Sequence, residues 1–351
     1  MNTTIAIIAN IFAFVSYLPA FNISHWAFRV FDFIRIQLLA IQIIFFIILC
    51  FLYEEGNLLV LSSQLFILLT IIYQAIIIVP YLPIATLFKK TKKESNTITV
   101  ISVNVLQSNT DYQQLIKLVN EVQPDILLTL ETNKAWENAL KEIEANFSYT
   151  YKVPKENRYG MHFYTKLKVE NVDEHYFIEE TRPAIEVHMF DRDGNDFVFL
   201  GIHPPPPSPT EKPTAKQKDA ELMKVAKLVR ELQSPSIVTG DFNNVCWSRS
   251  AKLFAKVSNL QDSRLGKGIH ATFPVRPSIM RFPIDLLFSS KEIKVHNIKT
   301  LPDIGSDHLP FYCEFTIVKS SFSKANKLEP ELKEMANEII EEGHIAVVEE
   351  E

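Results

Sequence analysis

The sequence predicts an α/β fold of two packed sheets with helices outside, preceded by a helical membrane region. Long stretches of the first ninety residues contain no charged side chain, whereas the rest of the chain has the composition of a soluble protein. In that soluble part, many short runs are strand-like and few segments have helical spacing. Many strands with few helices are typical of two packed sheets that are covered by helices from outside.

Three apolar segments are candidate membrane spans, at residues 4–21, 36–53 and 58–88. A spanning helix needs about 20 mostly apolar residues, and each segment approaches or exceeds that length. A cleaved signal peptide is the alternative for the first segment, but a basic leader region and a clear cleavage site are missing. We therefore predict a transmembrane region of about three helices over residues 1–88, with a tight turn at residues 54–57.

The charges that flank these spans favour a multi-pass protein of the cell membrane with its soluble part on the cytoplasmic side. Arg29 and Arg35 follow the first span. Four lysines follow the third span, in a predicted basic linker over residues 89–95. Cytoplasmic flanks of spanning helices carry an excess of Lys and Arg, which is the basis of this assignment.

Charge and cysteine content exclude some classes of protein. Residues 96–320 carry 27 basic and 28 acidic side chains, which disfavours a dedicated duplex-DNA binder because such proteins need a basic face. Residues 321–351 carry three basic and nine acidic side chains, and we predict an acidic, mobile tail over residues 320–351. The three cysteines have no paired spacing, so neither a disulfide framework nor a zinc site is indicated.

The soluble domain is predicted over residues 96–319. Strand-like runs occur at residues 96–106, 125–130, 161–164, 184–190, 197–202, 236–239, 283–289 and 309–318. Helical spacing occurs at residues 112–122, 133–145 and 216–232. The alternation of these runs again favours packed sheets with helices on their outer faces.

Acidic, amide and imidazole side chains recur where these strand-like runs end. They are Asn104, Glu131, His203, Asp241, Asn243, Asp285, Asp307 and His308. Strand ends at one edge of a sheet bring such groups into one cleft, where loops on a rigid scaffold carry function. We therefore expect these side chains to form one site.

Five short motifs around these residues resemble, in order, those of the endonuclease/exonuclease/phosphatase superfamily. They are Asn104-Val105, Leu130-Glu131, Gly240-Asp241-Phe242-Asn243, Ile284-Asp285 and Ser306-Asp307-His308, within residues 97–318. The resemblance implies a four-layered α/β sandwich, that is, two packed mixed sheets flanked by helices. It also implies a hydrolase that cleaves phosphate esters with a divalent metal.

The resemblance and the chemistry of the side chains together assign a metal site. Mg²⁺, or Mn²⁺ in its place, is the expected cofactor, because a hard cation takes oxygen ligands and keeps several waters. Glu131 is the expected ligand, with Asn104 and Asp307 beside it. A cation there would polarise a phosphoryl oxygen and stabilise the leaving group.

The remaining residues are predicted to act on the phosphate and on the attacking water. Asp241 is expected to orient and deprotonate the water, and Asn243 to hold a phosphate oxygen without adding repulsive charge. Asp285 is expected to keep His308 as an imidazolium that stabilises the charge of the transition state. The resemblance places His203 beside the phosphate as a donor.

Two positions depart from the pattern of the superfamily. Leu286 stands where many members have His or Tyr, and we expect it to pack without loss of activity. The tyrosine with which nuclease members contact phosphate has no secure counterpart, and Tyr159, before Gly160, is only a candidate. The stretches between the motifs are also short, which leaves little room for the inserted loops with which nuclease members grip DNA.

The sequence leaves three candidate functions. The first is a phosphoesterase acting on a phosphorylated small molecule or lipid near the membrane. The sequence looks most similar to a membrane-anchored branch with loops like His203-Pro204-Pro205-Pro206-Pro207, and some members of that branch are tied to lipid-carrier pyrophosphates. Relatives that act on exported substrates favour the outer side of the membrane, so the side stays open, as does the oligomeric state.

The other two functions are less favoured. A membrane-tethered nuclease acting on DNA or RNA is the main alternative, and it requires a basic groove with aromatic side chains. The third is a catalytically dead interaction domain. It is disfavoured because the acidic, amide and imidazole residues of the motifs are all present.

Overall fold

The computed structural model describes residues 2–52, 57–85, 96–318 and 327–350. The predicted turn at residues 54–57, apart from Asn57, and the predicted basic linker at residues 89–95 lie outside the described residues. The α-helices are α1 (Asn2–Val15), α2 (Trp26–Phe33), α3 (Arg35–Phe51), α4 (Leu58–Ile78), α5 (Tyr112–Val122), α6 (Lys134–Glu144), α7 (Lys216–Glu231), α8 (Arg249–Ser258) and α9 (Pro330–Glu350).

The strands of the described residues form two six-stranded mixed sheets. The strands are β1 (Ile98–Asn104), β2 (Ile126–Leu130), β3 (Tyr149–Val153), β4 (Met161–Thr165), β5 (Lys168–His175), β6 (Ala184–Phe190), β7 (Asp196–Ile202), β8 (Ser236–Asp241), β9 (Gln261–Asp262), β10 (Asp285–Ser289), β11 (Ile293–Thr300) and β12 (Phe311–Ile317). The first sheet has the order β11-β12-β1-β2-β4-β3, and the second has the order β5-β6-β7-β8-β10-β9. In each sheet the two central strands, β1 with β2 and β7 with β8, run parallel.

The two sheets pack face to face between outer helices, which confirms the predicted four-layered α/β sandwich. Alternate residues of a strand point to opposite faces, so Val100 and Leu128 contact the second sheet while Ile101 and Leu127 contact helices. Helices α5 and α6 cover the first sheet, where Trp136 is fully buried. Helices α7 and α8 cover the second sheet.

The strands that the sequence analysis missed lie at the edges of the sheets. β3 and β11 are the outer strands of the first sheet, and β5 and β9 are those of the second. An edge strand has one face or one side in solvent, so it needs few apolar residues and gives a weak pattern. Strand β5 illustrates this, because none of its eight residues is buried.

Helices α1, α3 and α4 form a bundle that buries polar side chains beside an apolar core and has an apolar surface. Gln42 and Gln74 are fully buried, and the side-chain amides of both donate to Ser16 Oγ, at 2.6 and 3.2 Å. Large apolar side chains such as Ile44 and Ile76 point outward, with 56% and 69% of their surface exposed. Bundles that face lipid are built in this way, because polar groups then bond to each other and apolar groups contact acyl chains.

Two helical segments of the bundle are long and apolar enough to cross a membrane, Asn2–Ala20 and Leu58–Tyr81. The third candidate is long enough to cross a membrane only if Trp26–Phe33 and Arg35–Phe51 form one span. The axes of these two helices are bent by 70° relative to each other. Helix α2 is the amphipathic arm of that pair. It leaves the bundle and lies against the soluble domain.

The bundle is docked firmly on the soluble domain, a feature that the sequence analysis did not predict. The backbone N–H of Trp26 donates to Pro213 O at 3.0 Å, and that of Ala215 donates to Ser24 O at 2.7 Å. The buried indole of Trp247 donates to the carbonyl of Asp32 at 2.8 Å. Bonds on both sides of α2 therefore fix the helix relative to the sheets.

The prediction of a mobile tail over residues 320–351 is wrong for its larger part, because Pro330–Glu350 forms α9. The apolar side chains of α9 recur every three or four residues and pack on the core beneath α7 and α8; they are Leu332, Met335, Ala336, Ile339 and Ile340. Intervening glutamates obscure this period in the composition of the segment. Burial of one apolar face outweighs the repulsion among glutamates that remain in solvent.

Gly343 is the point of closest approach between α9 and α7, and its replacement should loosen the tail helix. A Cβ atom at this position would lie 2.1 Å from Ala220 Cβ. We expect Gly343→Val to cost about 1–3 kcal/mol through overpacking and to lower the melting temperature of the detergent-solubilised protein by several degrees. Glu341→Val, on the exposed face of α9, is the matched control. Equal melting of the two variants would contradict this packing.

Candidate active site

The predicted site residues meet at one end of the sandwich, where central strands of both sheets terminate. Asn104 is the last residue of β1, and Glu131 directly follows β2. Asp241 ends β8 and Asp285 begins β10, and the two are direct partners in the antiparallel register of these strands. His308 lies just before β12. The two sheets thus bring residues far apart in sequence into one cleft of about 860 Å³.

The carboxylate of Asp241 occupies the centre of this cluster. Its Oδ2 atom accepts a hydrogen bond from Asn104 Nδ2 at 3.2 Å, which joins the second sheet to the first. The same oxygen lies 3.5 Å from His308 Nε2 and 3.7 Å from His203 Nε2. All four side chains are buried.

His308 is held between two carboxylates. Its Nδ1 atom lies 2.9 Å from Asp285 Oδ2, and its Nε2 atom faces Asp241. Burial opposes the imidazolium, but the charges of Asp285 and Asp241 outweigh that effect and raise the pKa of His308 to about 10. His308 is therefore a cation at neutral pH, as the sequence analysis expected.

In two neighbours of His308, burial outweighs the nearby charges and is the main cause of the pKa shift. Burial raises the pKa of Asp241 to about 7, although the charge of His308 opposes the rise. Burial also lowers the pKa of His203 to about 3, and the nearby cation of His308 adds to that effect. His203 is therefore a neutral imidazole, and Asp241 has the proton affinity that suits a general base near neutral pH.

The loop after β8 places Asn243 beside the proline-rich loop. The backbone N–H of Asn243 donates to Asp241 Oδ1 at 2.9 Å, and its side-chain amide donates to Pro204 O at 2.9 Å. Gly240 is required at the start of this turn, because a Cβ there would lie 2.0 Å from Ile202 O. The close approach of β7 and β8 explains why glycine precedes Asp241 in the motif.

The three residues predicted to bind metal lie together on the other side of Asp241. Asn104 Nδ2 donates to Glu131 Oε1 at 2.8 Å, and Ser306 Oγ donates to Asn104 O at 2.7 Å, which ties the loop of Asp307 to β1. Burial raises the pKa of Asp307, and the negative charge of Glu131 raises it further, against the effect of His308. Two carboxylates that repel each other beside an amide form an oxygen donor set that fits Mg²⁺ or Mn²⁺.

Asn104 presents its amide nitrogen to the carboxylates of Glu131 and Asp241, while its oxygen accepts from the backbone N–H of Leu106 at 3.0 Å. In this arrangement Asn104 orients Glu131, and the carboxylates of Glu131 and Asp307 would supply the ligands of a cation. Such a cation would act as a Lewis acid on a phosphoryl oxygen. The three residues predicted to bind metal therefore lie close together. Asn104 orients Glu131, whereas Glu131 and Asp307 would bind the cation.

Two other groups of acidic and imidazole side chains come close together within the described residues. Ligand atoms of Asp241, Asp285 and His308 lie within 4.8 Å of one another, as do those of Asp173, Glu186 and His188. In the first group, the protonated ring of His308 is itself the positive charge beside the two carboxylates. In the second, Glu186 accepts from both His175 and His188, at 2.8 and 2.6 Å, so its charge is satisfied.

Much of the remaining lining of the cleft is apolar, and most of it was missed by the sequence analysis. Phe273 and Phe282 contribute to it from the soluble domain. Trp26, Val30 and Phe33 contribute to it from α2. The rings of Phe33 and Phe282 pack edge to face with centroids 5.1 Å apart. The only signal in the sequence was the apolar, sparsely charged run between the first two spans.

Tyr159, the candidate for a tyrosine that contacts phosphate, lines the cleft, but its hydroxyl donates a hydrogen bond to Glu211. Its ring centroid is 5.1 Å from that of His203. Gly160 follows because a Cβ there would lie 1.7 Å from Thr132 O. Leu286 is fully buried and packs in the core, as expected.

Comparison with known proteins identifies the family. The model of the endonuclease/exonuclease/phosphatase family matches residues 101–308. The chain belongs to this family. Its members are generally metal-dependent hydrolases that act on phosphoester bonds. The comparison with curated proteins finds no match.

Solved structures share the fold at low identity. D. rerio TDP2, humanized by 14 mutations, is 18% identical, with a TM-score of 0.52 over 63% of this chain and 100% of that one. The human Nocturnin catalytic domain with a bound sulfate is 18% identical, with a TM-score of 0.52 over 65% and 97%. A family member from Bacteroides thetaiotaomicron is 21% identical, with a TM-score of 0.51 over 66% and 98%.

Replacement of His308 should remove activity and spare metal affinity. We expect His308→Ala to lower kcat by about 10²–10³, the usual effect of losing one electrostatic donor to the transition state. The measurement is turnover of bis(p-nitrophenyl) phosphate with a Mg²⁺ titration. His344→Ala, on the exposed side of α9, is the control. Near-normal turnover of His308→Ala, or loss that accompanies unfolding, would remove His308 from the reaction.

Proposed function

We propose that this chain is a membrane-anchored, metal-dependent phosphoesterase that hydrolyses a phosphate ester or pyrophosphate of a lipid-like substrate by attack of an activated water. The observation that carries the proposal is the buried cluster of Asp241, Asp285 and His308. This cluster lies in a cleft that also has an apolar wall. The cluster accounts for the chemistry, and the wall accounts for the class of substrate.

The chemistry follows from the charges of the cluster. Asp241, with its pKa raised to about 7, accepts the proton of the attacking water. His308 places a positive charge where negative charge gathers on phosphorus oxygens, and Asp285 keeps the ring oriented and protonated. Neutral His203 and the amide of Asn243 are hydrogen-bonding groups that add no negative charge near the phosphate. Mg²⁺ or Mn²⁺ at Glu131 and Asp307 would supply Lewis acidity on the other side.

The substrate class is inferred from the wall that α2 supplies. This wall lies where the chain leaves the bundle, next to helices long and apolar enough to cross a membrane. A phosphate held beside His308 and Asn243 would leave its organic part against Trp26 and Phe33. An apolar chain gains free energy by burial there, at about 25 cal/mol per Å², whereas a sugar or nucleobase gains less.

The nuclease alternative has weaker support. Among the described residues, Arg29 and Arg158 are the arginines that line the cleft, and no lysine lines it. Arg29 lies 3.7 Å from Asp219, which offsets its charge. A groove for a nucleic acid strand needs a longer basic track with aromatic platforms. A screen of lipid phosphates, lipid pyrophosphates, phosphodiesters and DNA would decide between the two functions, and preference for DNA would reject the lipid proposal.

Removal of metal should abolish hydrolysis, and Glu131 should set the metal requirement. We expect chelation by EDTA to stop turnover of bis(p-nitrophenyl) phosphate, and added Mg²⁺ or Mn²⁺ to restore it. Glu131→Gln removes a carboxylate ligand and should raise the Mg²⁺ concentration for half-maximal activity at least about tenfold. Glu142→Gln, exposed on α6, should match the wild type. Turnover that persists in EDTA would reject the metal-dependent reaction.

Truncation of the α2 wall should affect lipid substrates selectively. We expect Phe33→Ala to lower kcat/KM for a lipid phosphate at least about tenfold, since a buried aromatic side chain is worth about 1.5–3 kcal/mol, and to change that for bis(p-nitrophenyl) phosphate less than about twofold. Phe14→Ala, on the exposed face of α1, is the control. Equal losses on both substrates would show that Phe33 acts only through the stability of the cleft.

A further inference from the structure

A second cavity lies where the bundle meets the soluble domain, apart from the active-site cleft. This junction cavity has a volume of about 420 Å³. Its apolar lining comes from the bundle, through residues such as Tyr73 and Ile77, from Trp247 and Leu253 of the soluble domain, and from Leu332 and Met335 of α9. None of the residues assigned to catalysis or metal binding lines it, so its occupant is not the substrate.

The opposite side of the junction cavity is a row of cations on α8. Arg249, Lys252 and Lys256 follow one another at intervals of three and four residues, so they share one face of the helix. None of the three forms an ion pair with another residue in the described part of the chain. Burial lowers the pKa of Lys252, and the neighbouring charge of Arg35 lowers it further. The row is thus a cluster of positive charge that forms no ion pair within the described residues.

Arg35 extends this positive charge into the bundle. It is 97% buried, with Nη1 donating to Gln74 at 2.7 Å and Nη2 donating to Asp32 at 2.6 Å. Its Nε atom is buried without a hydrogen-bond partner, although the side chain lines the junction cavity. A buried donor without an acceptor is unfavourable, and an anionic ligand in the cavity would lie near it.

The acidic neighbours do not cancel the row. Within the described residues, Asp32 is the one acidic residue that lines the junction cavity, and Arg35 neutralises it. Glu338 and Glu342 line an adjoining cavity that Arg249 also borders, so Arg249 is partly compensated. Lys252 and Lys256 therefore carry the uncompensated charge.

We propose that the junction cavity binds the anionic headgroup of a phospholipid from the surrounding leaflet. The inference rests on the membrane insertion contained in the proposed function, and it goes beyond the hydrolytic activity. The headgroup phosphate lies against Lys252 and Lys256, and the acyl chains run along Tyr73 and Ile77 of α4. Tyr and Trp side chains such as Tyr73 and Trp247 are common at the level of lipid headgroups.

Such a lipid would also support the wall of the active site. Asp32 of α2 and Arg35, the first residue of α3, line the junction cavity, while Trp26, Val30 and Phe33 of α2 line the cleft. Trp247 lines the cavity and donates to the carbonyl of Asp32. The lipid therefore packs behind the helix that shapes the substrate cleft.

The test measures lipid binding to the full-length protein purified in neutral detergent. Bound dioleoyl phosphatidylglycerol and dioleoyl phosphatidylcholine are counted by native mass spectrometry over a lipid titration. Each lysine near an anionic lipid contributes about 1 kcal/mol, so the double variant Lys252→Gln, Lys256→Gln should bind phosphatidylglycerol about tenfold to thirtyfold more weakly. The matched control is Lys117→Gln, Lys141→Gln, which removes the same charge from exposed positions on α5 and α6.

We expect the wild type and the control to prefer phosphatidylglycerol over phosphatidylcholine by about tenfold or more, and the Lys252/Lys256 variant to lose that preference. Equal binding of the two lipids by the wild type, or an unchanged preference in the double variant, would overturn the proposal. Displacement of phosphatidylglycerol by millimolar inorganic phosphate would also overturn it, because the cavity would then be a site for free phosphate. Since no turnover is measured and His308→Ala should bind as the wild type does, failure of the proposed hydrolysis gives a different result.

Discussion

The carboxylate of Asp241 is the group on which the arrangement of the site depends. It is buried where the two sheets meet, and it is tolerated there because Asn104 of the first sheet donates to it and His308 provides a positive charge 3.5 Å away. Loss of either partner would leave a buried charge unpaired, which costs several kcal/mol. The register of β8 and β10 then places Asp285 on the far side of His308. The packing of the two sheets and the protonation states of these side chains therefore depend on each other.

Helix α2 connects the bundle to the candidate active site. Arg35 of α3 binds Gln74 of α4 and Asp32 of α2, so one buried side chain connects the apolar helices to the helix that lines the cleft. The cleft consequently has a polar wall made by strand ends and an apolar wall made by α2. A phosphate bound between these walls would have its charged part and its organic part in environments that suit each. Buried polar side chains of the bundle thus hold α2 in place through Arg35.

Much of the fold was predictable because central strands are buried on both faces. Strands such as β6 and helices such as α5 were predicted with the bounds that the structure shows, since each has a strong apolar pattern. The edge strands β3, β5 and β11 were missed, because a strand with solvent on one side needs few apolar residues. Helix α9 was taken for a mobile tail because its glutamates dominate its composition, whereas its stability comes from the narrow face that contacts α7.

The sequence by itself determined the order of the motifs, the side chains that carry the chemistry and the long apolar segments of the bundle, because each of these is a local property of the chain. Tertiary structure alone decided that Asn104 and Asp241, 137 residues apart, share a hydrogen bond. It also decided that His308 is charged while His203 is neutral. Only the fold placed Phe33 of α2 and Phe282 of the soluble domain in one wall. These properties depend on burial and on distances between remote residues, which local sequence patterns do not encode.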